Sequence, residues 1–191
     1  MSLRFFAVFA AIAYAAVCMA QSQGETQFQR LDIRDGLPSQ QVNAMAQDRA
    51  GHLWIGTKDG LARFDGRTFK VYRHAPGDTA SLPSNYIGAL HSDQQDRLWV
   101  AVEGHGVFRL SDAEGGFTRL PLQDCSDNAL DIWAIVSDIA GSVWFASFGD
   151  GLFRLKPDGS IQHYMRNTEG TGLPDANVLS LAFSEDGTLW I

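Results

Sequence analysis

Five histidines, at positions 52, 74, 91, 105 and 163, are the side chains of this 191-residue sequence best able to bind a metal or carry a proton. They are scattered, and none stands at the close spacing that brings two ligands onto one ion. There is no glycine-rich phosphate loop, and no Gly-x-Ser-x-Gly turn that would expose a nucleophile. The carboxylates gather where the chain should turn, as Asp48, Asp59, Asp138 and Asp150 do. An aspartate in that setting accepts hydrogen bonds from nearby backbone N–H groups, which is turn chemistry and not acid–base catalysis. The catalytic residues, metal ligands and cofactors expected here are therefore none.

What remains are contact residues, and these emerge from a repeat. Leu53-Trp54, Leu98-Trp99, Val143-Trp144 and Leu189-Trp190 place tryptophans 45, 45 and 46 residues apart. Leu37-Pro38, Leu82-Pro83 and Leu173-Pro174 each begin 17 residues before one of them. Twelve residues before each tryptophan stand Val42, Ile87, Ile132 and Val178, and nine before stand Met45, Leu90, Ile135 and Leu181. A short, nearly continuous apolar run of this kind reads as a strand covered on both faces. Gly51, Asp96, Gly141 and Gly187, three residues before each tryptophan, are turn formers that close a tight link into a second strand.

A further turn follows at Asp59-Gly60, at Gly104-His105-Gly106 and at Asp150-Gly151. Third strands LARF, VFRL and LFRL come next, and then fourth strands TFKVYRH, FTRLPL and IQHYMRN. Polar residues run through the fourth strands, as suits an exposed edge. Four short antiparallel strands every ~40–45 residues make one blade of a β-propeller, so the expected fold class is all-β. The expected units are blades at 37–81, 82–126 and 127–172, and the start of a fourth at 173–191. Residues 21–36 are read as an orphan outer strand with its lead-in. Because Leu189-Trp190-Ile191 reads as a strand just begun, the chain is taken as the N-terminal part of an incomplete ring. Open blade faces at ~1.5–3 kcal/mol per exposed core side chain forgo on the order of 10 kcal/mol. That rivals a total stability of ~5–15 kcal/mol, so the isolated chain is expected to be marginal and to associate.

The column eleven residues before each tryptophan holds Asn43, Gly88, Trp133 and Leu179, so the repeat does not demand an aromatic there. It lies on the first strand, which lines the central channel of a propeller. Trp133 reads either as a stacking platform for a sugar or other flat ligand or as extra packing between blades, the second being preferred. Asn43 shares its column and joins it as a candidate ligand contact. His105, between two glycines, reads either as a ligand contact or as a plain exposed loop residue, the second again preferred. Trp54, Trp99, Trp144 and Trp190, with Gly51, Gly141 and Gly187, are assigned structural roles. Arg63, Arg109 and Arg154 recur in the third strand and are read as partners of the turn carboxylates.

The composition narrows the remaining classes. Fifteen basic against 22 acidic residues give a net charge of −7 without long runs of one sign, and nucleic acid is not an expected partner. Arg4, then an apolar stretch over residues 5–17 and small residues up to Ala20, read as a signal peptide cleaved after residue 20. That stretch is shorter than the ~20 residues needed to span a bilayer. Its removal would take Cys18 and leave Cys125 alone, so no internal disulfide is expected.

The pattern Asp-x-x-Gly-x-Leu-Trp-Ile-Gly-Thr over 48–57, continued by Gly-Leu-x-Arg-Phe and a trailing aromatic to Tyr72, resembles the two-component regulator propeller repeat. The resemblance extends over 28–191. Asp96 departs from it at the turn glycine, and Asp127-Asn128-Ala129 departs from it where Leu-Pro-Ser would stand. The segment 184–190 is similar to the Asp-box of sialidase-like propellers, itself a structural hairpin. The family resemblance implies a ligand-sensing periplasmic propeller ahead of a transmembrane helix and a cytoplasmic output domain, a histidine kinase or a diguanylate cyclase. It also implies inner-membrane anchoring, further C-terminal blades, a small-molecule or oligosaccharide ligand and a homodimer as a possible assembly. The alternatives are a secreted propeller lyase or glycosidase, or an extracellular binding scaffold.

Overall fold

The computed structural model describes residues 28–111, 116–122, 130–167 and 172–191. The expected signal peptide, both cysteines and the departing triplet 127–129 lie outside the described residues. Fourteen strands and no helix occur among those described. The first blade holds β1 (Val42–Gln47), β2 (Leu53–Thr57), β3 (Gly60–Phe64) and β4 (Phe69–Tyr72). The second holds β5 (Ile87–Ser92), β6 (Leu98–Val102), β7 (Gly106–Leu110) and β8 (Phe117–Arg119). The third holds β9 (Ile132–Ser137), β10 (Val143–Ser147), β11 (Leu152–Leu155) and β12 (Ile161–Tyr164). Each is a four-stranded antiparallel meander with neighbours in chain order, and β13 (Ala182–Phe183) pairs with β14 (Leu189–Trp190) alone.

The sheets of the compact unit Leu31–Ile191 stack face to face through their first strands, β1 against β5 and β5 against β9. Trp54, Trp99 and Trp144 each face the next unit, whereas Trp190 is exposed. Trp54, Leu61 and Tyr72 pack on Leu82, Ile87, Leu90 and Val100, and Trp99 and Val107 pack on Val143, Phe145 and Phe153. Leu37, Leu82 and Leu173, the leucines of the Leu-Pro pairs, are all buried. The seams are also hydrogen-bonded. The N–H groups of Gly60, Gly106 and Gly151 donate to the carbonyls of Asn85, Leu130 and Ala176, at 2.8, 3.1 and 2.8 Å. At Gly151 the backbone has φ +74°, and an added Cβ would sit 2.3 Å from the Tyr164 carbonyl oxygen, so only glycine fits that link.

Three features depart from a uniform repeat. Residues 28–32, part of the segment read as an orphan outer strand with its lead-in, are in no strand. The first strand of the first blade is not covered on both faces. Met45 is 63% exposed, whereas Leu90 and Ile135 in the same column are 8% and 6% exposed. No described sheet precedes the first blade, so that face lies open. The first strand of the fourth unit spans only Ala182–Phe183, paired with Leu189–Trp190. The open face yields a test. Met45→Ala is expected to change the stability of this chain by less than ~0.5 kcal/mol in urea denaturation, as at any exposed position.

Candidate functional site

The turn carboxylates do structural work in these blades. Asp48, Asp93 and Asp138 each accept the indole N–H of the tryptophan six residues on, at 2.9, 2.8 and 3.0 Å. Each also caps a backbone N–H four residues on, that of His52, Arg97 or Ser142. The second partner differs from blade to blade. His52 Nδ1 reaches Asp48 at 3.0 Å, Arg97 Nε reaches Asp93 at 2.6 Å, and Arg154 reaches Asp138 at 3.2 Å. Burial pushes these carboxyls up, but the indole, backbone and side-chain hydrogen bonds outweigh it and hold all three below the ordinary value. Of the recurrent arginines, only Arg154 forms an ion pair with a turn carboxylate among the described residues. Arg63 instead lies 5.8 Å over the Trp54 ring. Asp96 adopts φ +60° where the other turns use glycine, the one non-glycine residue described with positive φ.

The second feature lies at the opposite ends of the first strands. Each of β1, β5 and β9 carries a register shift against its neighbour, between Val42 and Ala44, Ile87 and Ala89, and Ile132 and Ala134. The extra residue is Asn43, Gly88 or Trp133. A bulge of this kind bends its strand and re-aims one side chain. All three bulge residues line a single pocket of about 270 Å³, together with Tyr86, Glu103 and Asp131.

The walls of this pocket are held by bonds between loops. Glu103 N–H donates to the Tyr86 carbonyl at 3.1 Å, and Gly104 N–H to Asp131 Oδ1 at 2.7 Å. Phe148 N–H donates to the Asp131 carbonyl at 3.0 Å. Asn43 Nδ2 donates to the Ile87 carbonyl at 2.9 Å, which leaves its amide oxygen available. Trp133 is 56% exposed and meets Phe148 of its own blade at a ring distance of 5.9 Å. The preferred reading of Trp133 as packing between blades therefore gives way: the bulge turns its ring out of the seam. His105 is exposed on the loop beside the pocket and does not line it. Its Nδ1 donates to the Glu103 carbonyl at 2.8 Å.

Tyr86, Glu103 and Asp131 were not singled out from the sequence. A signal was present, because the columns Gln41/Tyr86/Asp131 and Lys58/Glu103/Phe148 change chemistry inside an otherwise regular repeat. Among the described residues, no group of three or more histidine, cysteine or acidic side chains could hold a metal ion.

Side-by-side antiparallel sheets with their first strands innermost define an arc of a β-propeller. The family described as "Two component regulator propeller" matches at residues 36–59 and 81–104. Two segments of the chain are thus similar to that family's repeat. It is 38% identical over 82 residues to histidine kinase P4 of Formosa agariphila, a stretch covering 42% of this chain and 6% of that protein. The extracellular domain of a hybrid two-component system from B. thetaiotaomicron superposes with TM-score 0.70 at 26% identity, over 84% of this chain and 23% of that one. Virginiamycin B lyase from Staphylococcus aureus superposes with TM-score 0.57 at 17% identity, over 78% of this chain and 48% of that one, a likeness of fold alone. The chain therefore spans only a small part of the length of its sensor relatives.

Proposed function

We propose that these residues are the ligand-sensing periplasmic propeller portion of a transmembrane signalling protein. The protein is exported and anchored in the inner membrane, with a histidine kinase or diguanylate cyclase as output. The observation that carries the ligand site is the convergence of the three bulge residues, Asn43, Gly88 and Trp133, on one pocket. Three blades each contribute one position that the repeat leaves free to vary. One supplies an amide, one an open floor and one an indole face. Such a set suits a small molecule or an oligosaccharide that stacks on Trp133 and hydrogen-bonds to Asn43, Glu103 or Asp131. Binding there would shift a conformational or dimer equilibrium by no more than the ligand's differential affinity for the two states.

The test is titration of a panel of oligosaccharides against the full chain, followed by tryptophan fluorescence. Trp133→Ala is expected to weaken any ligand found by about tenfold or more, roughly 1.4 kcal/mol. Affinity unchanged in the variant removes Trp133 from the site.

A further inference from the structure

A second cleft lies at the seam between the second and third blades, both of which are complete in the chain. It has a volume of about 280 Å³, and four cationic side chains, Arg97, Arg109, Arg119 and Lys156, line it beside Trp99 and Thr118. Among the described residues no carboxylate lines it. This is notable in a chain with 22 acidic and 15 basic residues.

Comparison among the blades explains why charge accumulates there. Trp99, Arg109 and Thr118 stand opposite one another across β6, β7 and β8, and Trp144, Arg154 and Gln162 form the same row in the third blade. In the third blade Arg154 bonds to Asp138 and Ser142. In the second blade the corresponding carboxylate, Asp93, is already taken by Arg97 Nε. Arg97 stands where the other blades carry His52 and Ser142; His52 likewise occupies Asp48, and only beside Ser142 does the third-strand arginine reach its carboxylate. Arg109 is thereby left without a carboxylate partner among the described residues. Lys156 adds a cation where the other blades have Asp65 and Ser111, and Arg119 adds one where they have Val71 and His163. Among the described residues, Asp93 is engaged by Arg97, and Asp158 by Ser160 with help from the charge of Lys156.

We infer that this seam cleft binds a multiply charged oxyanion, a ligand bearing sulfate or phosphate groups. The planar guanidinium of Arg109 and the Lys156 ammonium are its main contacts, since both groups match oxyanions by charge and donor geometry. The site is separate from the pocket at Trp133, so each can stand or fall alone.

Calorimetric titration of the full chain with sucrose octasulfate and with pyrophosphate, at ~0.15 M salt, tests it. Saturable binding of at least one probe is expected. Arg109→Ala and Lys156→Ala are each expected to weaken it about tenfold, and raising the salt to ~0.5 M to weaken it further. Arg63→Ala, the same strand position in the first blade, should leave the affinity unchanged. Arg109 is exposed and outside the core clusters, so its variant should keep the parent circular dichroism and melting. Absence of binding to both probes, or equal losses in Arg63→Ala and Arg109→Ala, overturns the assignment.

Discussion

Phe145→Ala is expected to lower the stability of this chain by about 3–5 kcal/mol. The side chain is fully buried on the central strand β10, and its ring meets Trp99 of the preceding blade edge-on at 5.6 Å. It therefore belongs to two sheets at once. Truncation removes contacts on both sides of a seam that rigid strands cannot close, so the cavity persists. Against a typical total of ~5–15 kcal/mol, such a loss is a large share of the stability. Urea denaturation followed by tryptophan fluorescence would show it as a large fall in midpoint. Phe148→Ala, at a 52% exposed ring, is the control and should cost less than ~1 kcal/mol. Equal effects at the two positions would mean that the seam between blades is not a dry core.

Asp93→Ala should cost about 2–4 kcal/mol, although no apolar contact is lost. The Asp93 side chain is only 1% exposed. Its carboxylate accepts the Trp99 indole N–H, the backbone N–H groups of Gln95 and Arg97, and the Arg97 guanidinium. Removing it strands buried donors, and each stranded donor carries its full desolvation cost. Asp48 and Asp138 are more exposed, with side chains at 15% and 13%, and the same substitution there should cost less.

A pH dependence follows from the same carboxylates. Their folded pKa values lie below the ordinary 3.8, so their contribution is fully present above that value and is lost as the pH falls beneath it. His91 acts at higher pH. Burial lowers its pKa below 6.5 against the pull of Asp93, while its Nε2 lies 2.9 Å from Ser137 Oγ across the seam. The folded state thus disfavours the imidazolium, and stability should begin to fall as the pH drops below about 6.5 and fall more steeply below 3.8. His91→Gln should flatten the first phase only. A stability profile level from pH 7 to 4 would contradict this account of His91.

The fold was legible in the sequence because a propeller is built from one local unit repeated. Tryptophans at a fixed spacing, glycines at the turns and buried leucines before the prolines each express a constraint acting within about one blade's length of chain. The candidate site was legible only in part. Asn43 and Trp133 stood out as free positions in a regular column, but their meeting with Tyr86, Glu103 and Asp131 depends on how neighbouring blades sit.

Taken alone, the sequence determined the all-β class, the strand order within each blade, and the turn glycines and seam tryptophans of the repeat. Those properties follow from side-chain period and turn chemistry, which are local. Only the tertiary structure decided that Trp133 faces outward, that Arg97 displaces Arg109 from Asp93, and that the first blade leaves Met45 bare. Each outcome rests on a register shift or on competition for one carboxylate across strands, or on the presence of a neighbouring sheet. Such outcomes depend on how strands and sheets meet, and no periodicity in the chain encodes them.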